Sequence, residues 1–328
     1  MTSSEHINEY FNGRPFMILC ALALMVATAV ALTMGVQPHA DESTGVFFSI
    51  RGTAIGGPAL SAAVNVLCIL ATGGIMLALN KVFSYVRAVT HLFVSAFFLL
   101  QLAHPAGLVS FHIGTLLSLL SVLLVLPLFA SYQDRHSQRN IFLVFAVAAA
   151  GSMFHYGFLA LIPAFLLGFL NMGVLNLKGV LAMFFGLITP FWIVLGMGIA
   201  KPADFNMPQF TGIWEMAGQT AVSPLLVLVA VVTVMGLVLA VINLMTIMNY
   251  RMQTRVYNAF FVFMLVMAVI ALCIDYSNAA VYLPLLSIMT AVQIAHAHTL
   301  RNTPLRYVFI FVLMMGCIAF YSIQLLLS

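Results

Sequence analysis

The chain has 328 residues, of which 63% are hydrophobic and 6% charged, and its formal net charge is +4. This composition excludes an ordinary soluble domain and indicates a polytopic membrane protein. The basic residues are spread singly and in pairs, so the positive charge does not indicate a nucleic-acid-binding surface. We therefore expect an all-α fold, with a single transmembrane domain over residues 1–328.

Apolar runs along the chain predict about eleven transmembrane helices. A full crossing needs about 20 residues, and some of the predicted spans are shorter than this. A segment of residues 1–14 precedes the first helix. The longest outward loops, residues 37–56 and 201–222, are too short for a separate domain. The predicted spans are residues 15–36, 57–80, 88–103, 113–131, 141–156, 157–171, 179–200, 223–248, 258–274, 279–297 and 307–327.

The distribution of basic residues predicts the orientation. Ten of the twelve Lys and Arg residues fall on one side of this topology, and only Arg51 and Lys201 fall on the other. Because basic residues accumulate in cytoplasmic loops, we expect a cytoplasmic N-terminus and an outward C-terminus. The ten are Arg14, Lys81, Arg87, Arg135, Arg139, Lys178, Arg251, Arg255, Arg301 and Arg306.

The segment 141–171 is short for two spans, and one long tilted helix is the alternative. Two spans keep the ten-to-two charge distribution, whereas one span would change it to six against six. We therefore predict two short helices with His155 and Tyr156 near their turn, facing protein or water. Short helices at membrane depth are tolerated beside protein or a wet cavity. This predicts a cavity wall with His155 and Tyr156 as substrate-binding residues; a locally thin bilayer is the alternative.

The first outward loop contains an adjacent carboxylate pair, Asp41 and Glu42, followed by Arg51. A carboxylate can act as general base towards an acceptor hydroxyl, and an arginine can bind a phosphate leaving group. The arrangement resembles the first outward loop of C-type glycosyltransferases, which use polyprenyl-phosphate-linked sugars. The resemblance implies that Asp41 is the base, Glu42 its partner and Arg51 a phosphate contact. A solvated acidic loop is the alternative, and the large outer domain of many such enzymes is missing.

A broader resemblance covers most of the chain. It implies an uncharacterised multi-spanning family of Bacteroidota, located in the inner membrane of a Gram-negative envelope, with no activity to transfer. The segments that carry it are Tyr132-Gln133, Asn140-Ile141-Phe142, Gly186 to Pro190, and Tyr282-Leu283-Pro284 to Ser287.

Histidines, cysteines and amides within the apolar segments favour packing roles. The four cysteines lack metal-ligand spacing, and His296 and His298 are expected at the cytoplasmic membrane interface, so we expect no metal site. Intramembrane amides bond across helices. We expect this role for Asn65, Gln101, Asn243 and Gln293.

Three functional classes follow from these observations. The first is a glycosyltransferase-like protein that uses a polyprenyl-phosphate-linked sugar at the outer face, without another cofactor. The second is a lipid or small-molecule transporter, and the third is a non-catalytic partner in an envelope-biogenesis complex. The expected partners are membrane lipids, a lipid-linked glycan and envelope proteins. The acidic residues lie in loops or at span ends, which argues against ion coupling through a buried carboxylate. Loop 201–222 either crosses the cavity mouth or is a plain connector.

Overall fold

The computed structural model describes residues 3–38, 42–51, 57–86, 90–134, 136–218, 223–247, 251–300 and 306–327. Thirteen α-helices form most of this described chain. They are α1 Ser3–Asn12, α2 Arg14–Thr33, α3 Pro58–Phe83, α4 Leu92–Leu102, α5 Pro105–Leu108, α6 Ile113–Ala130, α7 Gln138–Ser152, α8 Leu161–Asn171, α9 Leu177–Gly196, α10 Pro224–Ile247, α11 Met252–Ile274, α12 Ala279–Leu300 and α13 Arg306–Leu327.

A short antiparallel ribbon interrupts this helical pattern. Its strands are β1, Glu42–Thr44, and β2, Ser49–Arg51. The predicted all-α class is confirmed for the described chain, and the ribbon is a local feature of this one loop. Short 3-10 helices also occur, at Tyr156–Ala160, Pro202–Asp204, Ile213–Gly218 and Tyr276–Asn278.

Eight helices within the described residues are long and apolar enough to cross a membrane. The chain is therefore a multi-pass helical membrane protein. Helices α4, α7 and α8 have 11, 15 and 11 residues, fewer than the roughly 20 of an ordinary span. The total of eleven spans stays a prediction, but residues 141–171 form two short helices, as predicted, rather than one long helix.

Hydrogen bonds between loops identify the two ends of the helix bundle. At the end that carries the ribbon, here called the hairpin end, the Val46 amide donates to the Ser152 carbonyl. At the opposite end, the Thr90 hydroxyl donates to the Asn12 side chain, and the Gln133 amide donates to the Met172 carbonyl.

Helix α12 lies at the centre of the bundle. It packs against α4, α6, α10 and α11, and its span is completely buried in protein. Of the eight long helices it has the lowest mean hydropathy, because a helix surrounded by protein need not match the lipid. Helix α9, in contrast, is mostly exposed on the outside of the bundle. It packs mainly on α7 and exposes large apolar side chains such as Trp192.

The break between α5 and α6 is stabilised by a buried amide. The Asn65 side chain donates to the Gly107 carbonyl at 2.8 Å and to the Leu108 carbonyl at 3.3 Å. The Thr115 hydroxyl donates to Asn65 Oδ1 at 2.7 Å. Backbone groups that a helix break frees within a membrane need such partners. The interhelical role predicted for Asn65 is confirmed.

Candidate functional site

The ribbon pairs two of the three charged residues that the sequence singled out. Its register sets Glu42 opposite Arg51, and Ser43 opposite Ile50. Asp41 lies outside the described residues, so its predicted role as general base stays a prediction.

The turn of the ribbon lies directly on the turn between α7 and α8. The Phe48 amide donates to the Met153 carbonyl at 3.0 Å, and the Phe48 ring stacks on Phe154 with 5.1 Å between centroids. Gly45 is required at this contact, because a Cβ there would lie 2.3 Å from the Met153 carbonyl oxygen. The first loop and the short helical pair therefore form one surface.

A second loop joins this surface through Asn206. Its amide donates to the Val46 carbonyl at 2.9 Å, and its side chain donates to the Gly45 carbonyl at 3.4 Å. The Tyr156 hydroxyl donates to the Asn206 carbonyl. The segment 201–218 is thus more than a plain connector, because it links the ribbon to Tyr156.

His155 and Tyr156 are both buried, as predicted, with 2% and 8% of their surfaces exposed. His155 caps the 3-10 turn that follows it, since its Nδ1 accepts a hydrogen bond from the Gly157 amide at 2.8 Å. Burial lowers the pKa of His155 to about 4, so this turn residue is neutral near pH 7. The contacts give His155 a structural role; substrate binding by this residue stays a prediction.

A cavity lies beside Tyr156, between α8 and α11. Its volume is about 260 Å³, just below the usual range of about 300–1,000 Å³ for ligand sites. It therefore accommodates one small head group or part of a lipid chain. The lining residues are Tyr156, Leu159, Ala160, Pro163, Phe210, Met267, Ile270, Ala271, Ile274, Asp275 and Tyr282.

The polar end of the cavity is formed by Asp275 with two tyrosines. Asp275 is 3% exposed. Its carboxylate accepts hydrogen bonds from Asn278 at 2.9 and 3.0 Å, from Ser277 at 3.2 Å and from the Tyr282 hydroxyl at 3.3 Å. Within the described part of the chain, no basic side chain pairs with it. The carboxylate depends on neutral donors and on the start of the following helix, whose dipole favours a negative charge.

The other walls of the cavity are apolar and reach the outer surface of the bundle. Leu159, Ile270 and Ile274 line it and are 39%, 46% and 41% exposed. In a membrane, these residues would face lipid. The cavity therefore combines a lateral opening for hydrocarbon with a polar end beneath the loops of the hairpin end.

Asp275 and Tyr282 are not among the site residues predicted from the sequence. Tyr282 belongs only to a segment that carries the family resemblance. One signal was available, because Asp275 directly follows an apolar helix and is followed by Tyr276, Ser277 and Asn278. This is a cluster of hydrogen-bonding side chains at a membrane boundary.

The histidines are dispersed. Among the residues that the structure describes, no group of three His, Cys, Asp or Glu side chains could hold a metal ion. His296 and His298 lie in the last two turns of α12 and are buried in protein, at 1% and 5% exposure, so their position at the membrane interface stays a prediction. Their burial follows from the central position of α12.

The chain belongs to a family of unknown function, DUF6427, which matches residues 57–327. The expectation of an uncharacterised membrane family is confirmed at this level. No curated protein and no solved structure matches the chain.

Proposed function

We propose that this member of the DUF6427 family binds a lipid-linked sugar at its hairpin end and acts on it there as a glycosyltransferase-like protein. The observation that carries the proposal is the cavity between α8 and α11, which has a carboxylate and two tyrosines at one end and an apolar side opening. A lipid tail would enter between the helices, and its head group would meet Asp275.

The chemistry of the polar end suits a hydroxyl-rich head group better than a bare phosphate. A sugar hydroxyl can donate to Asp275 or accept from a tyrosine, whereas a phosphate would meet a carboxylate. The rings of Tyr156 and Phe210 pack edge to face with 5.8 Å between centroids and line the same space. Aromatic walls with a few polar groups are typical of small-molecule sites.

The chemical step we propose involves the ribbon. Asp41 is the proposed general base with Glu42 as its partner, and Arg51 is the proposed contact of the polyprenyl-phosphate group. The register of β1 and β2 supports a common role for Glu42 and Arg51, because the two residues are cross-strand neighbours. His155 contributes to this site by shaping the turn on which the ribbon lies.

The proposed location is the outer face of a bacterial inner membrane. The excess of Lys and Arg at the opposite end supports an outward hairpin end, because cytoplasmic loops are richer in basic residues. Lys81, Arg139 and Lys178 adjoin helix ends on that opposite side. The polyprenyl carrier of an envelope sugar is available to an outward-facing site.

The proposal is tested by blocking the cavity. Ala271 lines it, so Ala271→Phe fills space that a lipid would occupy. The purified full-length protein in nanodiscs is labelled with a photoactivatable isoprenyl-phosphate sugar, and labelled peptides are identified by mass spectrometry. We expect labelling of α8 and α11 in the wild type and at least about tenfold less in Ala271→Phe, a change of about 1.4 kcal/mol.

Ala319→Phe is the matched control, because Ala319 is exposed on α13, away from the residues that line the cavity. This variant should be labelled like the wild type. Equal labelling of wild type and Ala271→Phe, or labelling confined to other helices, would contradict the proposed site.

A further inference from the structure

Three buried side-chain amides from three helices form a row of hydrogen bonds near the opposite end of the bundle, and each bond in the row has a defined donor and acceptor. Asn243 of α10 donates through Nδ2 to the main-chain carbonyl of Gln293 on α12, at 2.8 Å, and to its Oε1, at 3.0 Å. Gln293 donates through Nε2 to Oδ1 of Asn258 on α11, at 3.2 Å. The three residues are at most 1% exposed. They lie within about two turns of the helix ends at that side.

The positions of oxygen and nitrogen in each amide follow from one group that can only accept a hydrogen bond. The main-chain carbonyl of Gln293 accepts only, so the Asn243 nitrogen must face it. Gln293 Oε1 then accepts from the same nitrogen, and Gln293 Nε2 is left to donate to Asn258. The assignment of oxygen and nitrogen in the three amides is therefore determined by the network.

With the amides in this orientation, one polar atom has no partner at each end of the row of three amides. Within the described residues, Asn243 Oδ1 is a buried acceptor with no partner, and Asn258 Nδ2 is a buried donor with no partner. His296, one turn beyond Gln293 on α12, has an unpartnered buried Nε2 as well. An unpaired buried polar atom is unfavourable, and several in one region indicate an additional binding partner.

The pattern of unused atoms selects the chemistry of that partner. A cation needs several oxygen ligands, and only one free oxygen is present in the chain of amides. An anion would meet the free oxygen of Asn243. A group that both donates and accepts can bond to either end, and water or a small hydroxyl compound has this property.

We propose that Asn243, Asn258 and Gln293 form a hydrated binding site for water or a small hydroxyl ligand between α10, α11 and α12. On the side of the opposite end, Arg255 lies one turn before Asn258 on α11 and has a buried, unpartnered Nε. It is separate from the cavity at the hairpin end, and it does not depend on the proposed sugar transfer.

The test compares the reactivity of two introduced cysteines in the full chain in nanodiscs. A thiol reacts as the thiolate, which needs water around it. Asn258→Cys reports on the site. Val256→Cys is the control, because Val256 is also buried but lies nearer to the helix start. Intact mass measures modification by a small methanethiosulfonate reagent, with the wild type as background for the four native cysteines.

We expect Asn258→Cys to react at least about tenfold faster than Val256→Cys. Access governed by depth alone predicts the reverse order, and that order or equal rates would overturn the proposal. Water-edited solid-state NMR of the wild type avoids both variants. Polarisation from water should reach the Asn243 and Asn258 side chains sooner than Asn65, which is buried and fully bonded. Equally slow transfer to all three would also overturn it.

Discussion

The Tyr156 hydroxyl donates a hydrogen bond to the main-chain carbonyl of Asn206, fifty residues further along the chain. Asn206 in turn bonds to the backbone of the ribbon turn through Val46 and Gly45. Tyr156 also lines the cavity. One side chain thus connects both loops of the hairpin end to the proposed lipid site.

Removing this hydroxyl should loosen the loops without changing the helices. We expect Tyr156→Phe to lower the free energy of unfolding by about 0.5–1.5 kcal/mol, the usual worth of one such hydrogen bond. Thermal unfolding in detergent measures the change. Tyr132→Phe is the control, since the Tyr132 hydroxyl contacts only the exposed Gln133 side chain among the bonds described. An unchanged midpoint for Tyr156→Phe would mean that the bond contributes nothing.

Asp275→Asn should weaken head-group binding while leaving the helices in place. Both carboxylate oxygens accept hydrogen bonds, and an amide replaces one acceptor by a donor. We expect about tenfold weaker binding of the isoprenyl-phosphate sugar probe, because bonds to a charged group are worth about 1.5–3 kcal/mol. Glu215→Gln, at an exposed position, makes the same charge change and should bind normally. Equal loss in both variants would exclude a specific role for Asp275.

Asp41→Asn tests the proposed chemistry. It keeps the size of the side chain but removes the base, so sugar transfer should fall by about two or more orders of magnitude. Transfer is measured on a polyprenyl-phosphate sugar with an acceptor glycan, and circular dichroism checks folding. Arg51→Lys should reduce transfer less, because it keeps the charge and loses only the bidentate contact. If neither variant changes sugar transfer, and substitutions on the surface of α9 release a bound protein, the chain is a non-catalytic member of a complex.

The neutral state of His155 predicts a pH dependence of stability. Burial places its pKa at about 4 in the folded protein, below the ordinary value of about 6.5. The unfolded chain therefore binds more protons between these two pH values, so stability should fall as pH decreases from about 6.5 to 4. His155→Asn keeps a capping acceptor and should flatten this slope. An identical pH profile for the variant and the wild type would assign the dependence to other groups.

The predicted orientation is open to a direct measurement. We expect a reporter fused after Ser328 to behave as extracytoplasmic, and one fused before Met1 to behave as cytoplasmic. Ser328 follows α13, the helix that runs to the hairpin end. Cytoplasmic behaviour of the C-terminal reporter would reverse the orientation and place the cavity on the inner side.

Much of the architecture was predictable, because the lengths of the apolar segments and the positions of the charged residues can be read directly from the sequence. The short helices α7 and α8 follow from the charge distribution, and the buried turn at His155 follows from the scarcity of polar groups there. The ribbon was missed because three-residue strands lack a detectable alternation. The burial of His296 and His298 was missed because a helix near a membrane interface and a helix surrounded by protein have similar sequences.

The sequence by itself determined that this is a multi-pass helical membrane protein, since its apolar content leaves no other way to exclude water. It also predicts which loops share a side, because basic residues accumulate in cytoplasmic loops. Only the tertiary structure decided which residues meet. Glu42 is paired with Arg51 in the strand register. Asp275 accepts a hydrogen bond from Tyr282, because the first turn of α12 brings residue 282 close to the residue before the helix. Long-range contacts such as Tyr156 with Asn206 depend on how helices pack, and no local pattern in the chain encodes that distance.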